Sequence, residues 1–168
     1  MIAIIIIIIS LFLDGFLTNL LPYTGNSLSF FTPQLTLVCL FAIYPLYIKK
    51  RKKYYLTSLV TGIIYDLLYT NLLLFNGTLF FLTALLVKKI YKNLEINYLN
   101  IIIYVVILIA FYEITQALLI MIFNLVPITI TKLINKIIKS LLLNIIYAEV
   151  IYFIIKHLPK KYRKINLN

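Results

Sequence analysis

The sequence has little of what soluble proteins use for catalysis and cross-linking. Its 168 residues include one cysteine, one histidine, four glycines, five acidic residues and no tryptophan. One cysteine cannot form a disulfide within the chain, which excludes a disulfide scaffold. One histidine without a cluster of cysteines or carboxylates cannot supply a typical zinc site. Serine-nucleophile, phosphate-loop, dinucleotide and zinc-protease motifs are also absent, so the sequence predicts neither an enzyme nor a cofactor.

Apolar residues are abundant instead. They make up 63% of the chain against 12% charged residues, and the mean hydropathy is +1.03. A soluble domain is about half apolar and a quarter charged, whereas a membrane-spanning helix needs about 20 apolar residues. We therefore predict an all-α integral membrane protein whose residues 1–168 form one compact bundle of six transmembrane helices. The predicted spans are approximately 2–21, 32–48, 54–74, 76–92, 99–126 and 137–155.

The basic residues predict the orientation of these spans. Sixteen Lys and Arg residues against five acids give a net charge of +11. Five basic residues fall in 49–53, three in 88–92 and five from Lys156 onward. The positive-inside rule places these thirteen at the cytoplasmic face of the membrane, with both termini cytoplasmic. Clusters between apolar runs also predict contact with anionic lipids rather than with nucleic acid.

Three further lysines, Lys132, Lys136 and Lys139, fall on the opposite side. Their spacing places them on one helical face. It is compatible with an amphipathic segment at the outer interface or with a contact to an external partner.

Four of the five acids fall inside predicted spans, namely Asp14, Asp66, Glu113 and Glu149. Acids at this depth normally face the interior of a bundle. No Lys or Arg is predicted at matching depth, so we expect neutral, hydrogen-bonded carboxyl groups. They either join helices or form a proton or ion path. The expected local partners are Tyr65 and Asn71 for Asp66, Thr115 and Gln116 for Glu113, and Asn144 and Tyr147 for Glu149.

Proline and glycine predict local features of the second and third spans. Thr32-Pro33 is a typical N-cap and N1 pair that would open the second helix. Pro45 would kink or end the last turn of that helix. Gly62 has no second glycine four residues away, so it predicts a close approach between helices rather than a GxxxG dimer motif.

The segment from Gly62 to Tyr69, Gly-Ile-Ile-Tyr-Asp-Leu-Leu-Tyr, resembles the family of the rod shape-determining protein MreD. That family carries a Gly-x-x-x-Asp-Leu stretch in a central span, followed by a short turn and another apolar helix. It also has a proline that opens the second span, matched here by Pro33 in Phe-Phe-Thr-Pro-Gln-Leu. Size and hydropathy agree over the whole chain. After the turn, family members often have Leu-Gly, whereas this chain has Leu74-Phe75-Asn76-Gly77.

The resemblance implies a non-enzymatic membrane scaffold of the cell-elongation machinery. Such a protein would bind MreC and help to couple MreB filaments to the glycosyltransferase and transpeptidase that synthesise peptidoglycan. It also implies a fold similar to the S components of energy-coupling-factor transporters. The alternative is an S-component-like subunit that binds a vitamin or metal, and homo-oligomerisation stays open. The candidate residues for helix packing or partner interaction are Gly62, Asp66, Asp14, Glu113, Glu149 and Pro33.

Overall fold

A computed structural model describes residues 2–20, 33–70, 72–93, 97–123 and 129–158. These residues form six α-helices and no strand, which confirms the predicted all-α class. A 3-10 turn, Ile48–Lys50, joins the second helix to the third. The helices are α1 (Ile2–Leu20), α2 (Leu35–Tyr47), α3 (Arg51–Tyr69), α4 (Phe75–Asn93), α5 (Tyr98–Ile122) and α6 (Ile130–His157).

The helices differ in length and polarity. Among the described residues, α1, α5 and α6 are long and apolar enough to cross a membrane. The apolar helix α2 has 13 residues, whereas α3 and α4 have 19 residues each and are less apolar. At about 1.5 Å per residue, α2 is about 20 Å long and α6, with 28 residues, about 42 Å. The bilayer core is roughly 30 Å thick, so α2 is too short to cross it alone.

Consecutive helices run antiparallel, so residues distant in sequence meet at the two ends of the bundle. Tyr98, which begins α5, packs on Tyr152 near the end of α6, with ring centroids 5.0 Å apart. The start of α3 and the ends of α4 and α6 form the basic end, which contains Lys50, Arg51, Lys52, Lys53, Lys88, Lys89, Lys92 and Lys156. The opposite end, the cap end, contains Asp14, Gln34, Asp66, Asn76, Glu113 and Lys136.

Helix α2 is the centre of the bundle. Eleven of its 13 residues are buried, and it packs against α1, α3, α4 and α6. Because neighbours surround it, α2 has no polar face, as expected for a helix that is apolar on all sides. The outer helices instead expose large apolar side chains such as Phe12, Leu99 and Ile130. An apolar exterior of this kind suits lipid better than water.

The structure corrects two predicted helix starts. The second helix begins at Leu35 after the N-cap Gln34, not at Thr32-Pro33, and Thr32 lies outside the described residues. Pro45 lies inside α2, which ends two residues later at Tyr47, in agreement with the prediction. The last helix begins at Ile130 rather than near residue 137, so its lysines belong to α6 itself. The predicted span ends near residues 21 and 126 and the tail beyond Leu158 lie outside the described residues.

Candidate functional site: carboxylate caps at one end of the bundle

The start of α2 is capped by an acid from the neighbouring helix. Asp14 in α1 accepts hydrogen bonds from the backbone amides of Leu35 at 2.7 Å and Thr36 at 2.8 Å, one on each carboxylate oxygen. The first amides of a helix have no partner within it and carry partial positive charge. Asp14 is 1% exposed, so water does not reach this helix start freely. The carboxylate therefore supplies the acceptors and the negative charge that α2 needs.

Helices α5 and α6 reach the same position through Gln34, the N-cap residue of α2. The backbone amide of Gln34 donates to Asn144 Oδ1 on α6 at 3.0 Å. The side-chain Nε2 of Gln34 donates to Glu113 Oε1 on α5. Asn144 is itself held by a hydrogen bond from its Nδ2 to the Ser140 carbonyl at 2.6 Å. Helices α1, α5 and α6 thus all contact the start of α2.

Glu113 also forms an ion pair with a lysine on α6. Lys136 Nζ lies 2.8 Å from Glu113 Oε2 and 2.7 Å from Gln116 Oε1. Glu113 is 1% exposed, whereas the Lys136 side chain is 42% exposed. The expectation that no lysine matches the depth of this acid is therefore wrong. Because α6 begins as early as Ile130, Lys136 lies within the helix, and its long apolar stem carries the ammonium group inward.

A second acid caps α4. Asp66 in α3 accepts hydrogen bonds from the backbone amides of Asn76 at 2.9 Å and Gly77 at 3.2 Å. Asn76 Nδ2 adds a bond at 2.8 Å, and the Thr70 hydroxyl adds one at 2.9 Å. Four donors therefore converge on one carboxylate that is 1% exposed. This arrangement fixes the turn of the α3–α4 hairpin.

Gly62 allows this hairpin to close. A Cβ atom on Gly62 would lie 2.5 Å from the Asn76 carbonyl oxygen and 2.7 Å from Gly77 Cα. These are backbone atoms, which cannot rotate away. Gly77 is also closely packed, because a Cβ there would lie 3.1 Å from Ile63 Cγ1. The Gly-x-x-x-Asp spacing is therefore one geometric unit: Gly62 admits the start of α4, and Asp66 one turn later caps it.

The two caps are connected through α5. Tyr112 donates a hydrogen bond of 2.6 Å to Asn76 Oδ1, beside the cap of α4. The next residue, Glu113, bonds Gln34 at the cap of α2. Adjacent residues of one helix therefore contact both capped helix starts.

A tyrosine joins α1 to α3 near the caps. The Tyr69 hydroxyl donates to the Leu11 carbonyl at 2.7 Å. Gly15 leaves space for this ring, because a Cβ on Gly15 would lie 2.5 Å from the Tyr69 hydroxyl oxygen. A further hydroxyl contact of 2.7 Å joins Ser10 on α1 to Tyr147 on α6.

Comparison with known families decides the affiliation of the chain. The model of the rod shape-determining protein MreD family matches residues 1–162. The chain belongs to the MreD family. No curated protein and no solved structure matches it, so the likeness to transporter S components stays a prediction. The family places the chain among structural membrane proteins of rod shape determination.

Within this MreD-family chain, the structure brings three of the four predicted acids to the cap end but gives two of them other partners than expected. Asp66 bonds Thr70, Asn76 and Gly77 rather than Tyr65, and Asn71 lies outside the described residues. Tyr65, the neighbour of Asp66 in sequence, was the wrong partner because the Asp66 carboxylate on α3 reaches the backbone amides at the start of α4.

The partners expected for Glu113 are also wrong, because this acid bonds side chains from distant parts of the sequence. Thr115 donates to carbonyl oxygens of its own helix, and Glu113 bonds Gln34 and Lys136 on other helices. Glu149 is partly exposed on α6 and takes no part in either cap. Pro33 directly precedes the N-cap residue Gln34.

Three polar residues at the cap end, Gln34, Asn76 and Asn144, were not predicted as site residues. Each interrupts an apolar run, and that interruption is the signal that could have identified it. Within the described ranges no group of three or more His, Cys, Asp or Glu residues could hold a metal ion. The MreD-family cap end is thus a set of charged acceptors directed at helix starts, an arrangement that joins helices.

Proposed function

We propose that this protein is a non-enzymatic scaffold of the cell-elongation machinery in the bacterial cell membrane. It binds the membrane helix of MreC and, with it, couples MreB filaments to the enzymes that synthesise peptidoglycan. The family match over residues 1–162 supports this role. One structural observation carries the choice of scaffold over ion path: Asp14 and Asp66 are both engaged as helix caps. A carboxylate that bonds the first amides of a neighbouring helix serves to join two helices, which is the work of a scaffold.

We further propose that all six helices cross the membrane and that both termini and the basic end are cytoplasmic. The concentration of lysine and arginine at the basic end supports this orientation. The short helix α2 crosses within the bundle, where the Asp14 cap replaces water at its start. Anionic lipids contact the basic end.

Deletion and co-purification test the proposed role. Clean deletion of the gene should convert rods into rounded cells, and the tagged protein in mild detergent should co-purify with MreC. Normal rod shape together with no MreC in the eluate would refute the scaffold. A stoichiometric small molecule in the purified protein would instead favour an S-component-like binding subunit.

Amide variants separate a scaffold from an ion path. In Asp14→Asn and Glu113→Gln the shapes of the side chains are kept while the titratable groups are removed. A scaffold should restore rod shape to the deletion strain in proportion to the amount of folded protein. A proton path would lose function in both variants at undiminished amounts of folded protein, measured by quantitative immunoblotting of membranes.

A further inference from the structure

A small cavity at the basic end is lined by three cations from two helices. It encloses about 90 Å³ between Tyr44, Ile48, Arg51, Lys88, Tyr91 and Lys92. Arg51 is the first residue of α3. Lys88 and Lys92 are four residues apart on α4 and therefore lie on the same face of that helix. The rings of Tyr44 and Tyr91, with centroids 5.0 Å apart, form a rigid wall.

The size of this cavity suits a single compact oxyanion. About 90 Å³ is enough space for one tetrahedral group with its oxygens. A wider, open cavity of about 550 Å³ adjoins it and shares Ile48 and Arg51. Lys50, Lys52 and Lys53 line this second space. A molecule whose charged group occupies the small cavity therefore has room to extend outward among further cations.

None of the described residues that line the small cavity is acidic. Glu113, which pairs with Lys136, lies at the opposite end of the bundle, as do Asp14 and Asp66. Helix α3 begins after Lys50 with no side-chain cap and no acid in its first turn. Its first amides therefore add partial positive charge beside Arg51.

We propose that the cavity formed by Arg51, Lys88 and Lys92 binds a phosphate group. The guanidinium fork of Arg51 matches two phosphate oxygens, and the two ammonium groups add charge from α4. The phosphate belongs to an anionic lipid headgroup or to a free phosphate compound, since both present the same oxyanion. This inference rests on the cavity and its charges, and its lipid form deepens the proposed contact of anionic lipids with the basic end.

Binding to the full-length protein tests this site. Lipid retention is measured by native mass spectrometry with phosphatidylglycerol and, separately, phosphatidylcholine, and free phosphate binding by calorimetry with inorganic pyrophosphate. The cavity variant is Arg51→Gln/Lys88→Gln. The matched control, Lys89→Gln/Lys156→Gln, removes two charges from the same end without touching the cavity. We expect about a tenfold or greater loss of affinity in the cavity variant and less than about twofold in the control.

The outcomes identify the source of the phosphate or overturn the site. Preference for phosphatidylglycerol that only the cavity variant loses indicates a lipid headgroup. Saturable pyrophosphate binding with the same sensitivity, without lipid preference, indicates a free phosphate compound. Equal losses in both variants, or saturable binding of neither probe, overturn the proposal. Helical circular dichroism verifies folding, and Lys88→Arg, which keeps the charge, should retain affinity within about threefold.

Discussion

Two acids at the cap end, Asp14 and Asp66, both cap a helix start but accept different numbers of hydrogen bonds. Asp14 and Asp66 are each 1% exposed, and each caps the helix that follows its own. Asp14 accepts from two backbone amides, whereas Asp66 accepts from four donors that include the side chains of Thr70 and Asn76. Burial does not separate the two caps. What differs is the number of donors and, at Asp66, a glycine one turn earlier that brings the capped helix into contact.

The largest effect should come from removing the more heavily bonded acid. We expect Asp66→Ala to lower the free energy of unfolding by about 3 kcal/mol, because it leaves several buried donors without an acceptor. The measurement is helical circular dichroism of the purified protein in mixed micelles titrated with dodecyl sulfate. A loss below that of Asp14→Ala would show that the number of donors does not determine the strength of these caps.

The second effect concerns the glycine behind the Asp66 cap. We expect Gly62→Ala to destabilise by about 2 kcal/mol, because its methyl group would meet the backbone of Asn76 and Gly77 and push α4 away. The matched control is Gly15→Ala, where the methyl group meets the ring of Tyr69 instead of backbone. A side chain can adjust, so the control should cost less than about 1 kcal/mol in the same titration. Equal losses would mean that the α3–α4 contact is no tighter than the contact at Tyr69.

The Asp14 cap should rank third. We expect Asp14→Ala to cost about 1.5 kcal/mol, since the backbone amides of Leu35 and Thr36 lose their acceptor. Hydrogen exchange at Leu35 and Thr36 localises the change. Faster exchange there, with the start of α4 unaffected, is the expected pattern. Equal acceleration at both helix starts would indicate that the caps act as one cooperative unit through α5.

The smallest effect should come from the half-exposed ion pair. Lys136→Met removes the cation beside Glu113, and we expect a loss of about 1 kcal/mol because solvent screens the exposed lysine. The double variant Lys136→Met/Glu113→Gln should recover part of that loss, since no charge is then left without a partner. Dodecyl sulfate titration of both variants provides the comparison. A double variant less stable than Lys136→Met would assign Glu113 a role at Gln34 that needs its charge.

The α3–α4 hairpin shows what could be predicted from the sequence. A lone glycine in an apolar span indicated a close approach between helices at Gly62, and the depth of Asp66 in that span indicated an acid facing the interior. The structure places Gly62 against the backbone of Asn76 and Gly77 and buries Asp66. The amides that Asp66 binds could not be predicted, because they belong to the next helix. The position of α4 depends on Leu74, whose φ of 68° lets the chain turn into that helix.

The Asp14 cap and the Glu113 ion pair were harder to predict for a different reason. Their partners come from helices distant in sequence, and their contacts depend on which sides of α1, α5 and α6 face α2. Continuous isoleucine and leucine runs give no periodic pattern from which such faces can be read. The early start of α6 at Ile130 was missed because the lysine-containing segment before residue 137 was assigned to the interface rather than to the last span.

Both capping acids precede the helices that they cap: Asp14 lies 21 residues before Leu35, and Asp66 lies 10 residues before Asn76. Because a ribosome releases the chain from its N-terminus, each carboxylate reaches the membrane before the amides that need it. The Asp14 and Asp66 caps can therefore form before the rest of the chain is made. Helices α5 and α6 are made last, and their Glu113 and Asn144 then close around Gln34. The order of synthesis thus matches the order in which these hydrogen bonds become available.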